Sequence, residues 1–259
     1  MWWRVCNAWE CGGSDLAWAR MVAGLEQMEA GMQRRVLMGA GLAGLGGMPA
    51  WAMPGRRPVV VELFTSQGCS SCPPADALLA ELARTRADVL PLAFHVTYWD
   101  RLGWPDRFAL PAATARQRGY AAIAGVGTVY TPQMVVDGVT DVVGSDRPRV
   151  LSAIGRAARE VAVPVRLARG REELTVEVGA GAGSGLVLLV GFDPEHRTPV
   201  ARGENAGRVL VEANIVRSLT ELGPWAGAAR IVQVPVPAGE RHAVLVQAVD
   251  GRMLGVAAG

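Results

Sequence analysis

Two cysteines separated by two residues, set between a strand-like run and a helix-like run, constrain this chain more than any other feature. Residues 59–76 read VVVELFTSQGCSSCPPAD. The β-branched and apolar run 59–64 has the pattern of a buried strand, and a polar turn follows it. Cys69-Ser-Ser-Cys72 comes next, and Pro73-Pro74 then opens a segment rich in Ala, Leu and Glu that favours helix as far as Arg84. This order points the positive end of the helix dipole at Cys69. A thiol placed there ionises more easily, and the thiolate is the nucleophile in disulfide exchange. Two other readings stay open. A structural zinc site needs a second Cys/His pair, and the chain has no second C-x-x-C and only His95, His196 and His242. An inert structural disulfide needs nothing more.

The surroundings set limits on function. A formal net charge of +2 argues neither for a nucleic-acid partner nor for an anionic membrane surface, and none is expected. Arg34-Arg35, an apolar Gly-rich run over 36–48 and the A-x-A pattern Ala50-Trp51-Ala52 read as an export signal cut near Met53. The run is too short for a membrane span, so none is expected in the mature chain. Residues 1–31 read as an extension upstream of the true start or, alternatively, as a genuine but poorly ordered one, and 32–52 as the signal peptide. Cleavage removes Cys6 and Cys11 and leaves Cys69 and Cys72 in an oxidising periplasmic or extracellular compartment.

Past the first helix, 89–96 reads as a second buried strand ending near His95, followed by the aromatic stretch 97–104. A modest helix covers 111–120. A third strand begins after Pro132, Asp137-Gly138 is a hairpin signal, a fourth strand covers 140–143, and a last helix spans 147–160. From 161 onward the pattern changes to short strands divided by Gly and Pro turns, the signature of an antiparallel sandwich. The expected fold is therefore an α/β domain over 53–160 followed by a small all-β, sandwich-like domain over 161–259. His196 and His242 read as solvated turn residues. Arg202-Gly-Glu-Asn205 is a polar loop facing either the first domain or water.

The order of elements in 53–160, with C-x-x-C at the first helix and Pro before the third strand, resembles the thioredoxin fold. That resemblance implies a cis Thr131–Pro132 bond facing the cysteines. It also implies a buried carboxylate near the motif as proton acceptor for the resolving cysteine, a role that falls to Glu62. The blocks ELFTSQGCSSCPPAD, HVTYWDRLGWPDRFA, YTPQMVVDG and GENAGR…NIVRSL are similar to those of the secreted thioredoxin-like family known as domain of unknown function 1223. The family usually carries Asp at the position of Thr97, so a proton-transfer role there has no acid to perform it in this chain.

These readings lead to an expected function without a cofactor: an exported thiol–disulfide oxidoreductase. Cys69 attacks a disulfide in a protein or small-molecule substrate, Cys72 resolves the mixed disulfide, and Thr131-Pro132 holds the substrate beside Cys69. The recycling redox partner is not named by any motif. The alternative is a copper-binding or chaperone module using Cys69, Cys72 and His95, since thiolates and imidazole suit that metal. A thiol peroxidase is a third option. Ser70 and Ser71 carry no charge, so backbone N–H groups are expected to provide most of the thiolate stabilisation.

Overall fold

The computed structural model describes residues 56–259. The expected extension, signal peptide and cleavage point near Met53 lie outside the described residues.

The chain builds a mixed α/β fold on an eight-stranded sheet, with a separate three-stranded antiparallel sheet. β1 (Val59–Thr65) leads into α1 (Pro73–Thr85), β2 (Val89–His95) and α2 (Pro111–Ile123). β3 (Gln133–Val136), β4 (Thr140–Val143) and α3 (Arg147–Arg156) complete the first half. The second half holds β5 (Val165–Arg169), β6 (Glu173–Val178), β7 (Gly185–Pro199), β8 (Val209–Trp225), β9 (Arg230–Pro235), β10 (Arg241–Ala248) and β11 (Met253–Ala258). β1 and β2 pair in parallel. β3 runs antiparallel to β1, and β4 to β3.

Side-chain alternation along β1 sends successive residues to opposite faces. Val59, Val61 and Leu63 meet Leu78, Leu79 and Leu82 of α1 and Val150, Ala153 and Ile154 of α3 in one apolar core. The intervening residues face α2. Phe64 packs on Phe94 and edge-on to Tyr120, and Glu62 reaches Arg116 and Tyr120.

The expected partition at residue 160 does not divide the sheet. β8 lies parallel to β2 through Ala93 and Ile215. β7, β10 and β11 extend the same sheet, in the order β11-β10-β7-β8-β2-β1-β3-β4. Only β5, β6 and β9 form the second sheet, and its Leu174, Val176 and Val178 pack on Val187, Leu189, Val244, Val246 and Trp225. A sandwich therefore exists, but one of its layers is the extended main sheet. The length of β7 and β8 explains the difference: 15 and 17 residues carry each strand out of the sandwich and alongside the first half. The sheet also curls far enough that the β10–β11 turn meets the β3–β4 turn. A Cβ on Gly138, where φ is +78°, would fall 1.8 Å from the Gly251 carbonyl oxygen, so this contact requires glycine.

Two further expectations are corrected here. His196 and His242 are strand residues of β7 and β10 rather than solvated turn residues. His242 is buried. His196 pairs with Asp193 and stacks on Phe108. Arg57 forms a buried bidentate pair with Asp137, which fixes the chain entering β1 to the β3–β4 turn.

Candidate functional site

The loop after β1 places the cysteines. Cys69 N donates to Ser66 O at 3.1 Å and Cys72 N to Cys69 O at 3.2 Å, two successive turns that bring Cys72 to the N-cap of α1. Cys69 and Cys72 form a disulfide across a Cα–Cα distance of 5.4 Å. Both residues are 0% exposed.

The helix contributes less than the sequence suggests. Pro73 and Pro74 have no N–H, and the next two amides, of Ala75 and Asp76, already donate to Cys72 O. Hydroxyls take their place at the sulfur. Ser71 Oγ lies 3.3 Å from Cys69 Sγ, and Thr131 Oγ1, from the bend just before β3, lies 3.4 Å from it. Thr131 Oγ1 in turn accepts from Trp99 Nε1 at 2.8 Å, which leaves its own proton for the sulfur. The Thr131–Pro132 peptide is cis, and β3 begins immediately after it. The fold thus brings together Cys69, Cys72, Thr131 and Pro132, whereas Glu62 and His95 face other partners.

Glu62 belongs to the opposite face of β1. Its carboxylate takes Arg116 Nε at 2.5 Å and Arg116 Nη2 at 3.0 Å, along with the Tyr120 hydroxyl. Gln247 of β10 closes the cluster on Arg116 Nη1 at 3.0 Å and on the Tyr120 oxygen at 2.9 Å. Glu62 is therefore buried against Arg116 and Tyr120 and faces away from the cysteines. The buried carboxylate near Cys72 is Asp76, one helical turn further along the same face of α1. Burial pushes Asp76 up to about 7, outweighing the opposing pull of His95 and of the Thr65 hydroxyl, which donates to Oδ1 at 2.8 Å.

His95 is a core histidine. Its Nδ1 is 2.7 Å from Asp106 Oδ2, and its Nε2 faces Glu212 Oε1 at 3.7 Å, close enough for ion pairing but not for a hydrogen bond. Burial drives the imidazole down, yet Asp106, Glu212 and Asp76 together bring it up to about 9, so it is held protonated. Burial likewise raises Glu212, while His95 and three hydrogen bonds keep Asp106 below the usual carboxylate range. With both nitrogens directed this way, His95 does not join the cysteines as a third ligand. Among the described residues no group of three or more His, Cys, Asp or Glu side chains could hold a metal ion.

Gln67 ties these groups to the cysteine loop. Its backbone N–H donates to Asp106 at 2.8 Å, its side-chain Nε2 to Glu212 at 2.8 Å and to Thr198 at 3.1 Å, and its side-chain Oε1 accepts from Trp104 Nε1 at 3.0 Å. Sequence reasoning missed Gln67, Asp106, Glu212 and Thr198, because β7 and β8 supply half the partners from over a hundred residues away. Asp76 had a readable signal: an acid four residues after Cys72 in an otherwise apolar helical face. Thr97, the position where an Asp was expected, hydrogen-bonds Thr114 of α2 through its amide and hydroxyl.

Residues 60–249 match the family described as Protein of unknown function (DUF1223). A crystal structure of a protein from Agrobacterium tumefaciens is 33% identical, with a TM-score of 0.67, and the match covers 78% of this chain and 94% of that one. HBP35 of Porphyromonas gingivalis is 13% identical with a TM-score of 0.56, covering 80% of this chain and 76% of that one, a likeness of fold alone. Comparison with curated proteins finds no match.

Proposed function

The chain belongs to DUF1223, a family of proteins of unknown function, and we propose that it is an exported, thioredoxin-like thiol–disulfide oxidoreductase. The observation that carries the reading is the pair of hydroxyls, Ser71 and Thr131, converging on Cys69 Sγ beside the cis Thr131–Pro132 bond. An inert disulfide needs no such donors. A reactive thiolate is stabilised by them, because hydrogen bonds to an ionised group favour the ionised form.

In the reduced protein the Cys69 thiolate attacks one sulfur of a substrate disulfide. One substrate sulfur leaves as a thiolate and takes a proton from solvent. Asp76 accepts the Cys72 proton, and the Cys72 thiolate attacks Cys69 Sγ. The mixed disulfide breaks, the second substrate thiol departs, and the protein retains the Cys69–Cys72 bond. Two electrons have passed to the substrate. Run backwards, the same steps oxidise a substrate dithiol. Export is supported by the sequence pattern of residues 34–52 and suits a chain whose remaining cysteines form a disulfide.

The test is reduction of insulin by the wild type with excess dithiothreitol, against Cys69→Ser. Catalysis that disappears with Cys69→Ser supports the reading, and a wild-type rate equal to dithiothreitol alone sinks it. Metal analysis of the reduced protein, with Cys69→Ser as control, tests the copper alternative, which would require His95 to leave Asp106. Cys72→Ser should accumulate mixed disulfides on non-reducing gels while Cys69→Ser does not; equal trapping by both would reverse the assigned roles. Thr131→Val should slow alkylation of reduced Cys69 at pH 6 by roughly ten- to a hundredfold, since a hydrogen bond to a charged group contributes about 1.5–3 kcal/mol. An unchanged rate would remove Thr131 from the thiolate's surroundings.

A further inference from the structure

Cys69 has no accessible surface, although Ser70 and Ser71 beside it are exposed. The loop that joins β7 to β8 is hydrogen-bonded to the backbone of this motif. That loop is a tight hairpin, with Val200 N donating to Arg208 O at 2.9 Å and Gly207 N to Val200 O at 2.8 Å. Gly203 brings its backbone flat against Trp104: a Cβ there would lie 3.1 Å from Trp104 Cβ, at a φ of +81°.

Two side chains of the loop reach the motif itself. Asn205 is 0% exposed and uses every polar atom of its side chain. Its Nδ2 donates to Gln67 O and to Cys69 O, each at 2.9 Å, while its Oδ1 accepts from Arg208 at 3.1 Å. Glu204 Oε2 accepts from Ser70 N at 3.0 Å. Around Asn205, residues 201–204 and 206–209 are exposed, so the loop has no apolar core of its own. A segment held by a few polar contacts opens locally at far less cost than global unfolding.

We propose that residues 201–208 form a latch that closes the disulfide site, held by Asn205 on the carbonyls of Gln67 and Cys69 and by Glu204 on the Ser70 amide. Exchange at Cys69 needs a thiolate in line with the S–S bond, and a sulfur without accessible surface offers no such approach. The latch therefore swings away before any partner is engaged, and the rate of exchange follows the population of the open form. The proposal builds on the thiol–disulfide reading. Its test measures only chemical access to the disulfide, so it stands or falls separately from catalysis.

The oxidised full-length protein is treated with excess dithiothreitol, and the free thiols are counted by alkylation and mass spectrometry. The attacking thiolate breaks the Cys69–Cys72 bond, a second thiol of the reagent closes its own ring, and two electrons and two protons pass to the protein. Glu204→Ala, at an exposed position, should be reduced about threefold faster than wild type, and Asn205→Ala at least tenfold faster, as loss of one and of two hydrogen bonds from the closed form implies. Hydrogen exchange of the Ser70 amide should lose protection in Glu204→Ala. Unfolding midpoints of both variants are measured alongside. If Asn205→Ala fails to fold, Glu204→Ala and the Ser70 exchange decide the matter. Rates within twofold of wild type, or a folded wild type reduced as fast as the protein in denaturant, would overturn the latch.

Discussion

Replacing Glu62 by alanine is expected to lower the folding stability by ~3–5 kcal/mol, the usual cost of stripping one partner from a buried ion pair. Arg116 is buried, and although burial works against its charge, Glu62 more than offsets this and holds the guanidinium charged. Without Glu62 that charge keeps, among the described residues, Gln247 Oε1 and the Tyr120 oxygen as acceptors. The cluster links three parts of the chain: β1, α2 and β10. Its loss therefore loosens the curl of the sheet as well as the α2 face. Glu62→Gln should cost less, because the amide oxygen still accepts from Arg116. The double change Glu62→Leu with Arg116→Met should recover most of the loss, since no charge is then left unpaired. Chemical denaturation of the four proteins measures all of this. A Glu62→Ala variant within about 1 kcal/mol of wild type would contradict the anchoring role. Folded Glu62→Gln should also keep the wild-type exchange rate, which separates an anchor from a proton acceptor.

Local patterns carried much of this architecture. The run ending at Phe64, the prolines after Cys72 and the Asp137-Gly138 turn each act within a few residues, and each element formed where its pattern lies. Pro132 was legible as the residue before the third strand, its cis bond was what the thioredoxin resemblance implied, and Thr131 beside it reaches Cys69 Sγ. What was not legible depends on partners distant in sequence. The alternation of β7 and β8 announces strands but is silent on which sheet they join. Nothing local to residues 209–216 tells that β8 lies beside β2, and so nothing tells that Glu212 faces His95 or that Asn205 bonds the Cys69 carbonyl. Glu62 shows the converse failure. An acid on the strand before a C-x-x-C invites a catalytic role, and only the β1 alternation combined with the position of Arg116 sends it to the other face.

Asp76→Asn is expected to slow resolution by Cys72 about a hundredfold, the lower range for loss of a positioned proton acceptor, and to flatten the pH dependence of both rate and stability around neutrality. The carboxyl of Asp76 is pushed by burial from 3.8 up to about 7. In the unfolded chain it has lost its proton by pH 5, whereas the folded protein keeps it. The native state therefore binds the extra proton, and stability falls as pH rises from about 4 to 7, by on the order of 4 kcal/mol. His95 continues the decline. Its folded value is raised from 6.5 to about 9, so its contribution is fully present below pH 6.5 and is lost as pH climbs through 9, on the order of 3 kcal/mol. Asp106 acts on the acid side: its value is lowered, so its contribution is present above 3.8 and is lost in stronger acid. The oxidised wild type should thus be most stable near pH 4–5 and decline steadily toward pH 9. Asparagine keeps the acceptor for the Thr65 hydroxyl but carries no charge, so the variant should lose the slope between pH 4 and 7 and retain the one above it. Guanidinium titrations at pH 4.5, 7 and 9, at fixed ionic strength, read the stabilities. Stopped-flow decay of the Cys69 mixed disulfide over the same range reads the rate. An inflection near pH 7 that survives in Asp76→Asn would assign the proton to another group of the buried cluster, with His95 and Glu212 next in line.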